Sequence, residues 1–498
     1  MLQPKLSDAA MRRQRVQDLL ARREVWFVIA ALAGLLMAEL ITGFNLRLMK
    51  FGVGLVAVVV VVRFPLAVGI GMLLAFCSFP TAVMLGNTND LLSFLLIVVW
   101  IAKRRLRMEP PWRRSYVDWA IAIYLAVHVV SLINVESQQD LAQSVVALRH
   151  IATPVLLFYL VVSIGRSDRL MLFFTEMFCL GMMLVFLSAL MQFYFPGAAF
   201  LPRGYLSGLG ASDVFDPHGG IRVGGVLSHA VLSDFAAIIV ILNLFLILYY
   251  RDRRWLRLYH WLMLAGAIYM ISLSGNRGGL IVLFGGLFYF LWVFSGEVTP
   301  RRVLIGLILL VAGLLTAETV LFQFKGEGSL LGRLAATHFD RGIPDTRRFA
   351  WSYILDRIQE KPWLGHGPFF DPSAFEGGEV TAWPHNAYLY YMYTIGIVGI
   401  PTFLILSFRL LKGSWAGRRL KVSEISFARG LSATMHIAIL QFLVGQLRTD
   451  HQRGSTFSYL MWIVFALAMM ARENYRGRQV KDVSAQNIPV RSSADGPG

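Results

Sequence analysis

Cysteine is nearly absent. The 498-residue chain has two, Cys77 and Cys179, and both lie inside apolar segments. That excludes a disulfide framework and a thiolate metal site. Charge is also scarce: 15% of residues are charged, where soluble domains carry about 25%. Acidic residues are the rarer sign, 30 against 47 Lys and Arg, for a formal charge of +17. The chain has no internal repeat, so it lacks the repeated halves common in membrane carriers.

What the chain has in abundance is apolar residues, 56% of the total. They form long runs with no polar face, such as 25–41, 146–164, 170–195 and 229–250. A spanning helix needs roughly 20 predominantly apolar residues. The sequence therefore predicts an all-α polytopic membrane protein of about 12–14 transmembrane helices. The spans are expected near 25–42, 46–62, 64–83, 90–102, 117–133, 146–164, 170–195, 229–250, 258–274, 279–295, 302–322, 386–411, 428–447 and 456–471. The basic stretch 1–24 precedes a long apolar run, and "AELITGF" has no small-x-small cleavage site. It is read as a cytoplasmic N-terminus before a retained first span.

The excess of positive charge raises nucleic-acid binding as a reading, but its distribution argues for topology. With the N-terminus inside, most Lys and Arg fall in inner segments such as "MRRQRVQDLLARR", "KRRLRMEPPWRR", "RDRRWLR" and "GRRLK". The short outer loops hold almost none. This positive-inside bias places both termini in the cytoplasm. Residues 25–472 then form the membrane domain, and 473–498 read as a disordered cytoplasmic tail. Two long outer loops are expected, 196–228 and 323–385. In the second, "DTRRFAWSYILDRIQEKP" predicts an amphipathic helix capped by Asp345 or Thr346. Phe349, Trp351, Ile354, Leu355 and Ile358 supply its apolar positions, and Pro362 ends it.

This topology makes three helix starts face outward. "GGIRVGGVLSH" opens the span at 229 with Arg222, "SLSGNRGGL" opens the next inward span with Arg277, and "WPHNAYL" opens the span at 386 with His385. Helix starts carry unpaired N–H groups and about half a positive charge each. Arg277 is the only charge between Arg257 and Glu297, and a guanidinium in a membrane is by default functional. Its flanking Gly278 and Gly279 suggest close ligand approach to the backbone. An interfacial arginine reaching for headgroups is the plainer alternative. Two guanidiniums beside helix starts suit a diphosphate. A nearby imidazole can accept a proton near neutral pH. No carboxylate cluster with metal spacing accompanies them, which favours a metal-free, cofactor-free mechanism. A carrier is the main rival, but Asp234 and Glu176, the other intramembrane carboxylates, have no evident partner in the sequence.

Four segments carry a family resemblance: "RVGGVLSHAVLSDF", "SLSGNRGGLIVL", "RRFAWSYILDRIQEKPWLGHGPFF" and "HNAYLYYMYTIGIVGI". Across 221–400 the chain resembles the O-antigen ligase and O-antigen or exopolysaccharide polymerase superfamily. The resemblance implies a GT-C-like membrane fold with a partly helical periplasmic loop. It implies a metal-independent, inverting glycosyltransferase of the bacterial inner membrane with a periplasmic active site. The donor would be a glycan on undecaprenyl diphosphate, and the acceptor a glycan or lipid A-core. His385 matches the essential histidine. Arg222 and Arg277 match diphosphate-binding arginines, and Arg347 or Arg348 an arginine before the loop helix. Asn386 would orient the imidazole or donate to a sugar hydroxyl. Ser228 and His229 stand where the family often has Pro-Asn, and "GNRGG" where Ser-Arg is commoner. The span count and the size of the outer loop tilt the reading toward polymerase over ligase. Membrane lipids, a flippase and a chain-length regulator are the implied partners, and nucleic acid is not one. The alternatives are a carrier of a small anion such as bicarbonate and a non-catalytic assembly subunit.

The topology is testable by cysteine scanning in a background lacking Cys77 and Cys179. Arg222→Cys, Arg277→Cys and His385→Cys are expected to react with an impermeant thiol reagent from the outside. Reaction at 385 only after the inner membrane is permeabilised refutes the orientation.

Overall fold

The structure is a computed structural model. It describes residues 64–79, 82–83, 86–195, 215–216, 220–221, 223–296, 301, 308, 311–316, 318–319, 339–340, 343–370, 384–449 and 455–486. The expected spans at 25–42 and 46–62, and most of 302–322, lie outside the described residues.

The protein is all-α and polytopic. Among the described residues the helices are α1 (Leu66–Phe76), α2 (Thr88–Arg105), α3 (Asp118–Val130), α4 (Gln138–Ile164), α5 (Asp168–Tyr194), α6 (His229–Tyr249), α7 (Arg254–Leu273), α8 (Arg277–Val293), α9 (Asp345–Glu360), α10 (Ala387–Ser414), α11 (Phe427–Gly445) and α12 (Ser455–Gln486). A 3-10 turn, Ser131–Asn134, extends α3. Among the described residues three antiparallel ladders of two-residue strands decorate the loops, pairing 82–83 with 86–87, 215–216 with 220–221, and 339–340 with 343–344. Among the described residues six helices are long and apolar enough to cross a membrane: α4, α5, α6, α7, α10 and α11.

Six of the helix starts follow a side-chain cap rather than the first apolar residue. Ser137 accepts a hydrogen bond from the Asp140 N–H, so α4 begins eight residues before the expected 146. Ser167, Ser228, Asn276, Asn386 and Ser426 cap α5, α6, α8, α10 and α11 in the same way. Each side chain satisfies a backbone donor that hydrocarbon would leave stranded. The expected span 64–83 is only the 11-residue α1, about 16 Å long. It is buried on all sides, so it is an inner helix that lipid does not line. The last helix continues to Gln486, past the expected boundary at 472. "RENYRGRQVK" is rich in helix formers and carries no proline to stop it.

Hydrogen bonds between loops fix which ends lie together. At one end the start of α6 meets the end of α5 through Gln192, and Val223 N–H donates to Leu273 at the end of α7. Ala387 N–H, at the start of α10, donates to Gln446 after α11. At the other end Arg113 meets Asn474, Arg166 meets Pro111, and Leu420 N–H donates to Val293. This second end carries the arginine-rich loops that the sequence assigns to the cytoplasm.

The expected continuous span 386–411 is broken. Gly396 is left-handed with φ 67° and ψ −173°, and it interrupts α10. The loop after α9 fills the break. Tyr393 O and Thr394 O accept from His366 N–H and Gly367 N–H, while Ile397 N–H and Val398 N–H donate to Pro362 O and Trp363 O. His366 stacks on Tyr393, with ring centroids 4.6 Å apart. "PWLGHG" is therefore a strap that replaces the missing helical partners, as irregular backbone at membrane depth requires. Asn134 and Lys361 tie the strap to the end of α3, by Asn134 Nδ2 to Gly365 O (2.8 Å) and Lys361 Nζ to Asn134 O (2.8 Å).

A β-carbon at residue 396 would overlap the Trp363 carbonyl. Gly396→Ala should therefore cost at least about 2 kcal/mol from left-handed strain and the backbone clash. Gly285→Ala, where a β-carbon meets nothing within 4 Å, should be neutral or slightly stabilising. Thermal melts of the two purified variants test the pair. Equal midpoints would mean that the strap does not hold the break.

Candidate active site

The end that gathers the starts of α6, α8 and α10 is built from short-range constraints. Before α6, Gly225 is left-handed at φ 62°. Its N–H donates to Gln192 Oε1 at 2.7 Å and the Val226 N–H to Ser188 Oγ at 3.2 Å. A β-carbon at Gly225 would meet Ser188 Oγ and Ala189 N, so only glycine lets "VGG" lie flat on α5. Arg222 lies outside the described residues, while the next residue, Val223, is anchored to Leu273.

At the start of α8, Asn276 caps by accepting from Gly278 N–H at 3.2 Å, and half-buried Arg277 is the first helical residue. The flanking glycines serve a different purpose from the one expected. A β-carbon on Gly278 would overlap the Arg448 side chain, and one on Gly279 would overlap Ser233. The space above them belongs to the protein rather than to an approaching ligand.

At the start of α10, Asn386 Oδ1 accepts from Tyr388 N–H (2.9 Å) and Leu389 N–H (3.2 Å), and Nδ2 donates to Leu447 O (3.1 Å). The Asn386 amide is thus engaged as a cap and a tether. His385 has φ 44°, a left-handed value rare outside glycine. It is held there from both sides: Pro384 O accepts from Trp351 Nε1 of α9 at 2.7 Å, and Ala387 N–H is bound to Gln446 O at 2.9 Å. Strain of this kind persists only where neighbours over-determine it, and it concentrates at functional sites.

The loop helix α9 forms as expected. Its buried stripe is Ala350, Ile354 and Ile358, whereas Leu355 is 43% exposed. Leu355 therefore lies off the apolar face assigned from the sequence. Arg347 and Arg348 fall in the first turn of α9.

The sequence reading missed Arg448. It follows α11 in "GQLRTD" and resembles any loop arginine. Its Nη1 donates to Asn276 Oδ1 at 2.7 Å, and Nη2 forms a close ion pair with Asp234 of α6. Asp234 is 1% exposed. Burial pushes the Arg448 guanidinium down to about 10, still charged at neutral pH. Through Gln446 O and Leu447 O the same turn holds the start of α10. One turn thus pins the starts of α6, α8 and α10.

The ion pair also corrects the expectation that Asp234 and Glu176 lack partners. Glu176 accepts from Tyr250 OH at 2.9 Å and lies 3.3 Å from His260 Nε2. A carrier would offer such carboxylates, and the backbone of a broken helix, to a passing ion. Here protein groups take up both.

Comparison with known families bears on this end of the molecule. Residues 262–404 match the O-antigen ligase family. The matched segment holds Arg277, Arg347, Arg348, His385, Asn386 and the strapped break, while Arg222 and Arg448 fall outside it. The match supports the O-antigen ligase/polymerase superfamily and a membrane enzyme of that type. No curated protein matches the chain.

Removing one partner of a buried ion pair leaves the other uncompensated, at about 3–5 kcal/mol. Arg448→Ala should lower stability by that amount, and adding Asp234→Asn should recover a large part of it. Denaturant or thermal unfolding of the two single variants and the double variant measures the coupling. Additive losses would dissolve the pair.

Proposed function

We propose that this O-antigen ligase-type protein transfers a glycan from undecaprenyl diphosphate to an acceptor hydroxyl at the periplasmic face of the bacterial inner membrane. The observation that carries the proposal is the convergence of three helix starts on one end, with strained His385 pinned among them. Helix starts stabilise anions, and the leaving group of this reaction is a diphosphate.

In the proposed step the acceptor hydroxyl oxygen attacks the anomeric carbon from the face opposite the diphosphate. The anomeric C–O bond breaks, its electron pair leaves with undecaprenyl diphosphate, and the configuration inverts. The His385 imidazole takes the hydroxyl proton. Arg277 and Arg222 grip the diphosphate, with Arg347 or Arg348 reaching it from the loop helix, and no metal is required. Asn386 acts mainly by capping α10 and so fixing His385. Among acceptors, a second lipid-linked repeat unit is favoured over lipid A-core, which makes the protein a polymerase working with a flippase and a chain-length regulator. The carrier and assembly-subunit readings are not favoured.

The test is a reconstituted protein supplied with lipid-diphosphate-linked glycan and both acceptor types. His385→Ala should still bind donor but turn over 10²–10⁴-fold more slowly, as expected for loss of a positioned base. Arg277→Lys keeps the charge but loses the planar fork, so it should insert normally and lose most transfer. Wild-type turnover by His385→Ala would remove His385 as the base. Full activity of Arg277→Lys would reduce Arg277 to a point charge or an anchor.

A further inference from the structure

The opposite, arginine-rich end carries a feature that the transfer chemistry does not use. The α6–α7 hairpin forms a half-open cavity of about 690 Å³ lined by Arg251, Arg254 and Arg257 beside Leu248, Leu258 and Trp261. Arg254, Arg257, Leu258 and Trp261 recur at helical spacing, so they share one face of α7. The two kinds of group are segregated along that face. The guanidiniums sit at the first turn, and the apolar side chains follow toward the membrane interior. Leu258 is 47% and Trp261 48% exposed, so the apolar wall opens outward from the bundle.

The positive charge here is little offset. The carboxylate beside Arg251 is Asp252, at 3.8 Å, and Asp252 is 91% exposed to water. Arg257 Nη1 donates to Arg251 O at 3.1 Å, which ties the first turn of α7 to the hairpin bend. No side chain caps the start of α7, so its backbone donors add positive potential to the same spot. A phosphate-sized anion is favoured at the arginines, and an acyl chain along Leu258 and Trp261.

We infer that this cavity is a binding site for an anionic phospholipid of the leaflet at the basic end. Its phosphodiester would lie among Arg251, Arg254 and Arg257, and an acyl chain would run over Leu258 and Trp261. The volume suits a headgroup, and basic pockets between transmembrane helices are the usual seat of such lipids. The inference is independent of the transfer reaction. It would hold for any function of the site at the other end.

The experiment titrates phosphatidylglycerol or phosphatidylcholine into the purified full-length protein and counts bound lipid by native mass spectrometry. Wild type should retain phosphatidylglycerol preferentially. Each juxtamembrane arginine is worth about fivefold in lipid affinity, so Arg251→Gln/Arg254→Gln/Arg257→Gln should lose on the order of a hundredfold. Arg104→Gln/Arg105→Gln/Arg107→Gln removes as many charges from another loop of the same end and should leave the preference intact. Leu258→Trp keeps every charge and fills the cavity mouth from an exposed position, so it should lower binding without disturbing the fold. Inorganic phosphate in excess should not displace the lipid, because it cannot use the apolar wall. Equal losses in the two triple variants, undiminished binding in Leu258→Trp, or displacement by phosphate would each overturn the site.

Discussion

The ion pair between Arg448 and Asp234 is the constraint from which the rest of the site follows. A carboxylate 1% exposed in a membrane helix is costly unless matched. Arg448 matches it from a turn just beyond α11. That pairing fixes the turn, and the turn reaches two further helix starts through Asn276 and Asn386. Deeper in the bundle Gln441 repeats the pattern, donating to Ala237 O of α6 (3.2 Å) and Val282 O of α8 (3.1 Å). Gly286 makes room for it, since a β-carbon there would overlap the Gln441 amide. α6, α8 and α11 are therefore locked at two depths, and their starts cannot drift independently.

The second constraint is backbone satisfaction in hydrocarbon. Breaking α10 at Gly396 frees carbonyls and amides that lipid cannot serve. The strap from 362 to 367 returns a partner to Tyr393, Thr394, Ile397 and Val398. Because the strap begins two residues beyond α9, docking it also places the loop helix. α9 then holds Pro384 through Trp351. The strained backbone of His385 thus depends on a break about ten residues away, through a chain of packed and hydrogen-bonded groups.

Much of this was legible in the sequence, for stated reasons. Long apolar runs have no other stable use, so the described helices fall close to the expected spans. The exceptions mark where hydropathy carries no information. α1 is short and wholly buried, and an apolar run reads alike in either setting. α12 outlasts its apolar stretch because a helix can continue into water on propensity alone. The break at Gly396 was invisible because "TIGIVG" carries no charge or proline to mark it, and its cause lies in the strap at 362–367. Arg448 was invisible for a related reason. A buried partner in α6, Asp234, leaves no local signal, and "GQLRTD" looks like an ordinary loop. The helix starts were legible because their caps are local. What each start touches was not, and Gly278 and Gly279 were accordingly misread as ligand approaches.

The neutrality of the caps sharpens the electrostatic argument. Acidic residues at a helix start normally stabilise it by answering the macrodipole. The starts of α6, α8 and α10 instead use Ser228, Asn276 and Asn386, which satisfy N–H groups without adding negative charge. Asp234, a carboxylate among these starts, is matched by Arg448, so the pair adds no net charge. The fold obtains helix initiation and interhelix locking at this end while leaving the positive potential of three helix starts uncancelled by their own caps. A site for a neutral ligand gains nothing from that arrangement. A site in which negative charge develops on a leaving group gains at each of the three starts, in a setting where low dielectric strengthens every one of those interactions.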